Sequence, residues 1–329
     1  MSKVIHFNRT GGAEVLEFAE VDVAAPTAGE VQISVRALGI NRAEIMFRNG
    51  EYVIDPVFPA TLGYEAAGDV LAVGSDVTEV RVGDRVSVIP AFSFADYGMY
   101  GERVNAPAHA VVKIPDGISY EQAAATWMQF VTAYGALVSM GGMRAGDTVV
   151  LGASTSSVGL AAIQMANMVG ATPIALTRTL NKEQQLRAAG AAHVFASSDP
   201  ELPEKIRAVT GGQGARLVFD PVGGPGARAL FSAMADQGIY YQYGALSAAD
   251  IPVPVMDVLS RHLTLRGYEL FEITTVPERL AAAKLFISEG LSSGALSPVI
   301  DRVFEFADIA DAHRYMESGG QVGKIVVRV

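Results

Sequence analysis

A cluster of small residues between two apolar runs is where this sequence first offers chemistry. Gly152 to Gly159 reads Gly-Ala-Ser-Thr-Ser-Ser-Val-Gly. It follows Val149-Val150-Leu151, a run suited to a fully buried parallel strand, and precedes a helical pattern ending at Gly170. A second apolar run, Pro173 to Leu176, completes a strand–helix–strand unit. In such a unit the turn after the first strand gathers backbone N–H groups and the positive helix end at one point, where a pyrophosphate can sit. Against the dinucleotide fingerprint G-x-G-x-x-G, the matching places hold Ala153, Ser156 and Gly159, giving A-x-x-S-x-x-G. Gly159 stands where the helix must approach the strand closely. Serines replace glycines only if the backbone keeps a negative φ, and their hydroxyls can donate to phosphate. The candidate nucleotide contacts are therefore Ala153, Ser154, Thr155, Ser156, Ser157, Val158 and Gly159. An ordinary small-residue turn of another α/β protein reads the same way at this point.

The end of the second strand bears on which nucleotide would bind. A preference for NAD is usually marked by Asp or Glu roughly 20 residues past the turn, on the ribose 2′-OH. That place holds Thr177-Arg178-Thr179, with Lys182 a turn later. A guanidinium and an ammonium suit a 2′-phosphate, so the expected cofactor is NADPH rather than NADH. The alternative is that both cations are solvated surface charges. Gly244 and Ala245, after a strand from Ile239 to Tyr243, are small enough to let a dinucleotide pass at a strand end.

These residues need a scaffold, and its pattern follows along the chain. Residues 3 to 40 alternate apolar and polar in short runs separated by Gly11-Gly12, Pro26 and Gly29-Glu30, a β-rich opening. Ala43 to Gly50 fits a short helix. Glycines recurring among valines from Gly63 to Val86 suggest the tightly turned strands of a small barrel. The composition changes at Pro115-Asp116-Gly117, and Ser119-x-x-Gln122 is a capping box opening an alanine-rich helix. From there to Tyr268 strands and helices alternate, a doubly wound pattern. Thr275-x-x-Glu278 predicts a further helix stopped by Gly290, and the chain ends strand, helix, strand.

The composition excludes several classes. With 329 residues, half of them apolar, the chain is long enough for two domains and is not disordered. A net charge of −10 argues against nucleic-acid binding. No run reaches the roughly 18 apolar residues of a membrane span, and MSKVIHF carries no signal-peptide core. A cytoplasmic protein is the expectation. There is no cysteine, which removes disulfides, thiolate catalysis and every cysteine-ligated metal.

Taken in series, Gly39-Ile40-Asn41-Arg42-Ala43-Glu44, Gly63-Tyr64-Glu65-Ala66-Ala67-Gly68, Val82-Gly83-Asp84-Arg85-Val86, Thr132-Ala133-Tyr134, the 152–159 turn, Phe219-Asp220-Pro221-Val222-Gly223-Gly224 and Gly323-Lys324-Ile325-Val326-Val327 resemble the medium-chain dehydrogenase/reductase superfamily. The branch that the chain resembles is the zinc-free quinone oxidoreductases and enone reductases. The resemblance implies an α/β fold: a doubly wound parallel-sheet Rossmann domain, residues 121–268, inserted in a β-rich GroES-like catalytic domain, residues 1–120 and 269–329.

The zinc-dependent members carry cysteine, histidine and cysteine at three ligand positions. Motif matching puts Asn41, Tyr64 and Met128 (or Gln129) there, none of which holds Zn²⁺ as thiolate or imidazole does. An alcohol needs a Lewis acid or base before it loses hydride. A quinone or activated C=C does not, because its own carbonyl takes up the charge, so a metal-free reduction of quinones or α,β-unsaturated carbonyls is implied. The resemblance places Asn41 near the nicotinamide as an oxyanion donor; capping the following helix is its structural alternative. Tyr52 stands where related reductases have a cleft tyrosine able to orient substrate or donate a proton; an aromatic that merely covers the barrel is its structural alternative. Thr132 is implied near the nicotinamide, the backbone around Gly267 near the carboxamide, and Lys324 near the cofactor phosphates. Relatives pair through the last strand of the nucleotide domain, so a homodimer is expected, with Ile239–Tyr243 or Leu263–Tyr268 as the edge.

Overall fold

Alternating apolar and polar residues draw the opening of the chain into strands in the computed structural model, which describes residues 1–329. β1 (Ser2–Phe7), β2 (Glu17–Val21) and β3 (Glu30–Ile40) precede α1 (Arg42–Asn49), which ends on Gly50 in the left-handed conformation. β4 (Ala60–Thr61), β5 (Glu65–Val73), β6 (Arg85–Val88), β7 (Arg103–Pro107) and β8 (Val111–Lys113) follow. The Ser119/Gln122 capping box opens α2 (Tyr120–Ala124), and α3 (Trp127–Ala133) runs into a π-helical stretch, Tyr134–Met140.

Strands and helices then alternate: β9 (Thr148–Leu151), α4 (Ser157–Val169), β10 (Thr172–Thr177), α5 (Glu183–Ala188), β11 (His193–Ala196), α6 (Leu202–Val209), β12 (Ala215–Asp220), α7 (Ala227–Ser232), β13 (Met234–Gln242), α8 (Val255–Arg261) and β14 (Thr264–Gly267). α9 (Phe271–Thr274) and α10 (Pro277–Ser293) come next, and β15 (Ile300–Glu305), α11 (Ile309–Ser318) and β16 (Lys324–Arg328) end the chain. No helix is long and apolar enough to cross a membrane.

The chain divides into two units, Met1–Met128 with Pro298–Val329, and Gln129–Ser297. The first holds a small antiparallel sheet, β2-β1-β4, and a larger one in the order β15-β16-β3-β5-β6-β8, with β7 also paired to β3. Strand β3 is its spine, bonded to β5, β7 and β16. The second unit holds a parallel sheet in the order β11-β10-β9-β12-β13-β14. Counted within that unit this is 3-2-1-4-5-6, the doubly wound order, and it reverses between β9 and β12. Val149, Val150 and Leu151 are fully buried there, as the apolar run predicts. Val150, Ile174, Val218, Phe231 and Tyr240 share one core cluster. Each such aliphatic or aromatic side chain contributes about 1.5–3 kcal/mol on burial.

The structure moves the expected domain boundaries. Residues 121–128 lie in the first unit, where Glu121 bonds Arg328 at 3.0 Å. Residues 269–297 lie in the second rather than the first. Phe286 of α10 packs on Tyr134 with ring centroids 5.1 Å apart, and the Gln164 amide exchanges two hydrogen bonds with the backbone of Ser297, at 2.9 and 2.8 Å. α10 also does not stop at Gly290. It runs on to a left-handed Gly294, and Gly290 is there because a Cβ would stand 2.4 Å from Leu296. Thr275 does not cap it: Val276 holds the N-cap position, with Pro277 as the first helical residue. Of the two edge strands expected for the parallel sheet, β14 is the edge and β13 is interior.

Candidate active site

The carboxyl ends of the parallel strands gather the expected nucleotide contacts of the second unit. β9 delivers the 152–159 turn, β10 delivers Thr177 and Arg178, β13 leads to Gly244, and β14 ends on Gly267. That is the crevice in which doubly wound sheets bind ligands. Two close approaches shape the turn. A Cβ on Gly152 would lie 2.1 Å from Asp220 Oδ1, and one on Gly159 would lie 2.5 Å from the Cα of Ser154. Only glycine lets the start of α4 sit this near the strand.

The turn does not keep a negative φ throughout, as its serines and alanine would lead one to expect. Ala153 is left-handed, at φ 44°, the conformation for which the fingerprint uses glycine. The serines divide into two kinds. Ser154 is fully buried; its hydroxyl donates to Leu151 O at 2.6 Å and accepts from Leu176 N–H at 3.0 Å. It staples β9 to β10, and its oxygen faces the sheet rather than a ligand, which corrects its expected place among the nucleotide contacts. Ser156 is the N-cap of α4 and accepts Gly159 N–H at 3.1 Å. Ala153, Thr155, Ser156, Ser157 and Val158 are all partly exposed around the helix N-terminus.

Sequence reasoning missed Tyr243. Its ring stacks on Phe219 with centroids 3.8 Å apart, and its buried hydroxyl, close to Ser156, makes no hydrogen bond of normal geometry. Burial pushes its ionisation far up, so it stays a neutral donor. A buried donor without such a bond next to a helix N-terminus fits an anionic group there. A tyrosine immediately before Gly244 at a strand end was the available signal. Arg178 is exposed and Lys182 partly so, while Thr177 is buried at the end of β10. Gly244 lies against Pro221, where a Cβ would be 3.0 Å from the proline Cβ; Ala245 and Gly267 are exposed. Thr132 is buried on α3.

In the first unit, Asn41, Glu44, Glu65 and Lys324 form one buried cluster. Lys324, expected near cofactor phosphates, is 1 % exposed; its ammonium bonds Asn41 Oδ1 at 2.5 Å and pairs with Glu65. Glu65 also accepts the backbone N–H of Met128 at 2.8 Å. The ammonium is thus held in the interior of its own unit by a carboxylate and an amide, rather than standing open to solvent as a lysine reaching for phosphate would.

Asn41 is the N-cap residue of α1. Its Nδ2 donates to Gly39 O, Glu44 Oε1 and Glu65 Oε2 at 3.1 to 3.2 Å. Its amide is thus held by groups of the protein at the start of α1, beside Lys324, whose ammonium bonds its Oδ1. Glu44 accepts Asn41 N–H at 2.6 Å, Tyr64 N–H at 3.1 Å and the Tyr100 hydroxyl at 2.7 Å. Burial nevertheless pushes its carboxyl up to about 7. The chain continues through Tyr100 to His313 (3.2 Å) and from His313 to the buried Arg48 (3.0 Å). Burial and the adjacent guanidinium hold His313 down at about 3, hence neutral. Arginine only donates, so His313 Nδ1 accepts and Nε2–H donates to Tyr100.

Tyr52 is half-buried, with its hydroxyl 3.5 Å from that of Tyr64. No group of three His, Cys, Asp or Glu side chains is arranged to hold a metal ion.

Comparison with known proteins agrees with both units. Residues 27–116 match the alcohol dehydrogenase GroES-like domain, and residues 157–284 match the zinc-binding dehydrogenase domain. The chain is similar to a quinone oxidoreductase of Pseudomonas aeruginosa, 31% identical over 333 residues that cover 99% of each chain. Among solved structures, it superposes on Escherichia coli quinone oxidoreductase complexed with NADPH with a TM-score of 0.89 and 29% identity, over 99% of this chain and 100% of that one. A mycobacterial protein complexed with NADPH gives a TM-score of 0.90 and 28% identity over 100% of both chains.

Proposed function

Since the chain belongs to the medium-chain dehydrogenase/reductase superfamily, in its quinone oxidoreductase branch, we propose that it is an NADPH-dependent reductase of quinones or α,β-unsaturated carbonyls that works without a metal. NADPH, when bound, supplies a hydride to the electron-poor carbon of the acceptor. The observation that carries the reading is the turn after β9: a capped helix N-terminus, a glycine that no Cβ can replace, and the buried Tyr243 hydroxyl, all at the strand-order reversal.

Ala153, Thr155, Ser156, Ser157, Val158 and Gly159 hold the pyrophosphate. Arg178 and Lys182 favour the 2′-phosphate, and Gly244, Ala245 and Gly267 leave room for the nucleotide. Thr132 orients the nicotinamide end. Tyr52 donates the proton that balances the hydride, which a phenol can supply and an amide cannot; the Asn41 amide hydrogens are directed at Gly39, Glu44 and Glu65. The acceptor carbonyl takes up its own developing charge, and Asn, Tyr and Met at positions 41, 64 and 128 are poor zinc ligands.

Steady-state NADPH oxidation over a panel of quinones and enones tests this. The expected outcome is turnover with NADPH well above that with NADH, undiminished by chelators. Binding of NADPH without turnover across the panel would leave only a coenzyme-binding protein.

A homodimer belongs to the same reading. Edge strand β14 exposes Leu265 (41 %), and α8 exposes Val255 (65 %), Met256 (74 %) and Leu259 (63 %). A second copy covering this face removes an open sheet edge and an apolar patch together. Sedimentation of Leu259→Asp as a monomer, against a dimer for the unaltered chain, is the expected result.

A further inference from the structure

Tyr64 is buried within an aromatic group. Its ring stacks on Phe94 at 3.8 Å, Phe94 stacks on Phe47 at 4.7 Å, and Phe92 lies 6.0 Å away. Tyr52 packs on the same cluster, 5.8 Å from Phe94 and 6.4 Å from Phe47. The backbone of Tyr64 is fixed independently, by its N–H on the buried Glu44 carboxylate at 3.1 Å. Ring and backbone are therefore both held, and the phenol oxygen comes to a set place. That place is 3.5 Å from the Tyr52 oxygen. Tyr64 is 1 % exposed, whereas Tyr52 is partly open to solvent. Phenylalanine would fill the same aromatic stack, so the hydroxyl is what tyrosine adds at position 64.

We propose that Tyr64 is a positioning residue for proton donation by Tyr52: its hydroxyl donates to the Tyr52 oxygen as that oxygen releases its proton to the reduced substrate. The inference rests on the reductase reading above. The step balances as follows. Hydride adds to the electron-poor carbon and leaves NADP⁺ and an enolate or quinol anion. The Tyr52 proton passes to that anion, the Tyr52 oxygen keeps the electron pair, and solvent water returns a proton to it. Tyr64 steadies the negative oxygen in between, within a largely apolar surround where such a bond is strengthened.

The test is a cycle of Tyr52→Phe, Tyr64→Phe and the double variant in the full chain, with one quinone and one enone as acceptors. Tyr64→Phe keeps the stack and the Glu44 bond and deletes one oxygen. Its kcat should fall by roughly tenfold, the effect of one hydrogen bond to a charged group, while the acceptor KM and the unfolding midpoint stay put. Tyr52→Phe should lose on the order of a hundredfold, the scale of general acid catalysis. The double variant should be no slower than Tyr52→Phe, because Tyr64 acts only through Tyr52. An unchanged kcat in Tyr64→Phe, or losses that multiply in the double variant, would overturn the inference while leaving the reductase standing. Absence of turnover in the unaltered protein would overturn both.

Discussion

Lys324 Nζ lies 2.5 Å from Asn41 Oδ1, in an interior that excludes water from both side chains. An ammonium has only donors, so it decides which end of the amide faces it. The Asn41 NH₂ is thereby turned toward Glu44 and Glu65. One lysine fixes an amide that a surface asparagine would leave free to flip.

Replacing that lysine exposes how much depends on it. Lys324→Met leaves the Glu65 carboxylate buried without its counter-charge, and should lose about 3–5 kcal/mol in urea unfolding. Adding Glu65→Gln removes the stranded charge and should recover part of the loss. A single variant within about 1 kcal/mol of the unaltered chain would contradict the ion pair's structural weight.

The two serines of the nucleotide turn should separate in experiment. Ser154→Ala removes the bridge between Leu151 O and Leu176 N–H, costs about 1–3 kcal/mol of stability, and leaves coenzyme affinity unchanged. Ser156→Ala removes the cap of α4, costs about 1 kcal/mol, and weakens NADPH binding as well. Titration calorimetry with each variant distinguishes them, and the reverse assignment would refute the division.

Coenzyme choice should follow charge at the end of β10. Arg178→Glu should raise the NADPH dissociation constant by roughly tenfold to a hundredfold, the range of a hydrogen bond between charged groups. NADH, which has no 2′-phosphate, should bind almost as before. Equal losses for the two coenzymes would show that Arg178 does not meet that phosphate.

Stability against pH should carry the mark of two buried groups of opposite sign. His313 is held near 3, below its ordinary 6.5, so the folded state binds fewer protons than the unfolded. Its contribution is complete above about 6.5 and drains away as pH falls toward 3, at up to about 1.4 kcal/mol per pH unit. Glu44 is raised from 4.5 to about 7, so its contribution runs the other way between those values. The two offset each other from about 4.5 to 6.5, and His313 acts unopposed below 4.5. His313→Gln should therefore flatten the acid limb relative to the unaltered chain. Parallel unfolding curves from pH 3 to 7 for both proteins would disprove it.

The parallel sheet was legible because its signals are local: apolar runs of strand length, a small-residue turn, and a helix closed by Gly170. Other features were not local. Lys324 and Glu65 are separated by 259 residues, and no spacing marks them as partners. The Tyr52, Tyr64 and Phe94 group is likewise assembled from separate segments of the chain. Ser154 and Ser156 look alike in the sequence. Their division depends on β10 lying beside β9, which puts Leu176 N–H within reach of one hydroxyl and not the other. Gly290 was misread because glycine usually ends a helix, whereas here it makes room for Leu296.

The first unit is completed by residues that follow the whole of the second. On a ribosome, which releases the N-terminus first, Gln129–Ser297 has all of its strands in hand while the β-rich unit still lacks β15 and β16. Until Lys324 emerges, Glu65 has no cation, and the stretch of β3 from Ala37 to Gly39 is paired on one side only, by β5. A nascent chain stalled before residue 298 would thus display a folded parallel sheet attached to an unfinished β unit, the form most exposed to chaperones and proteases.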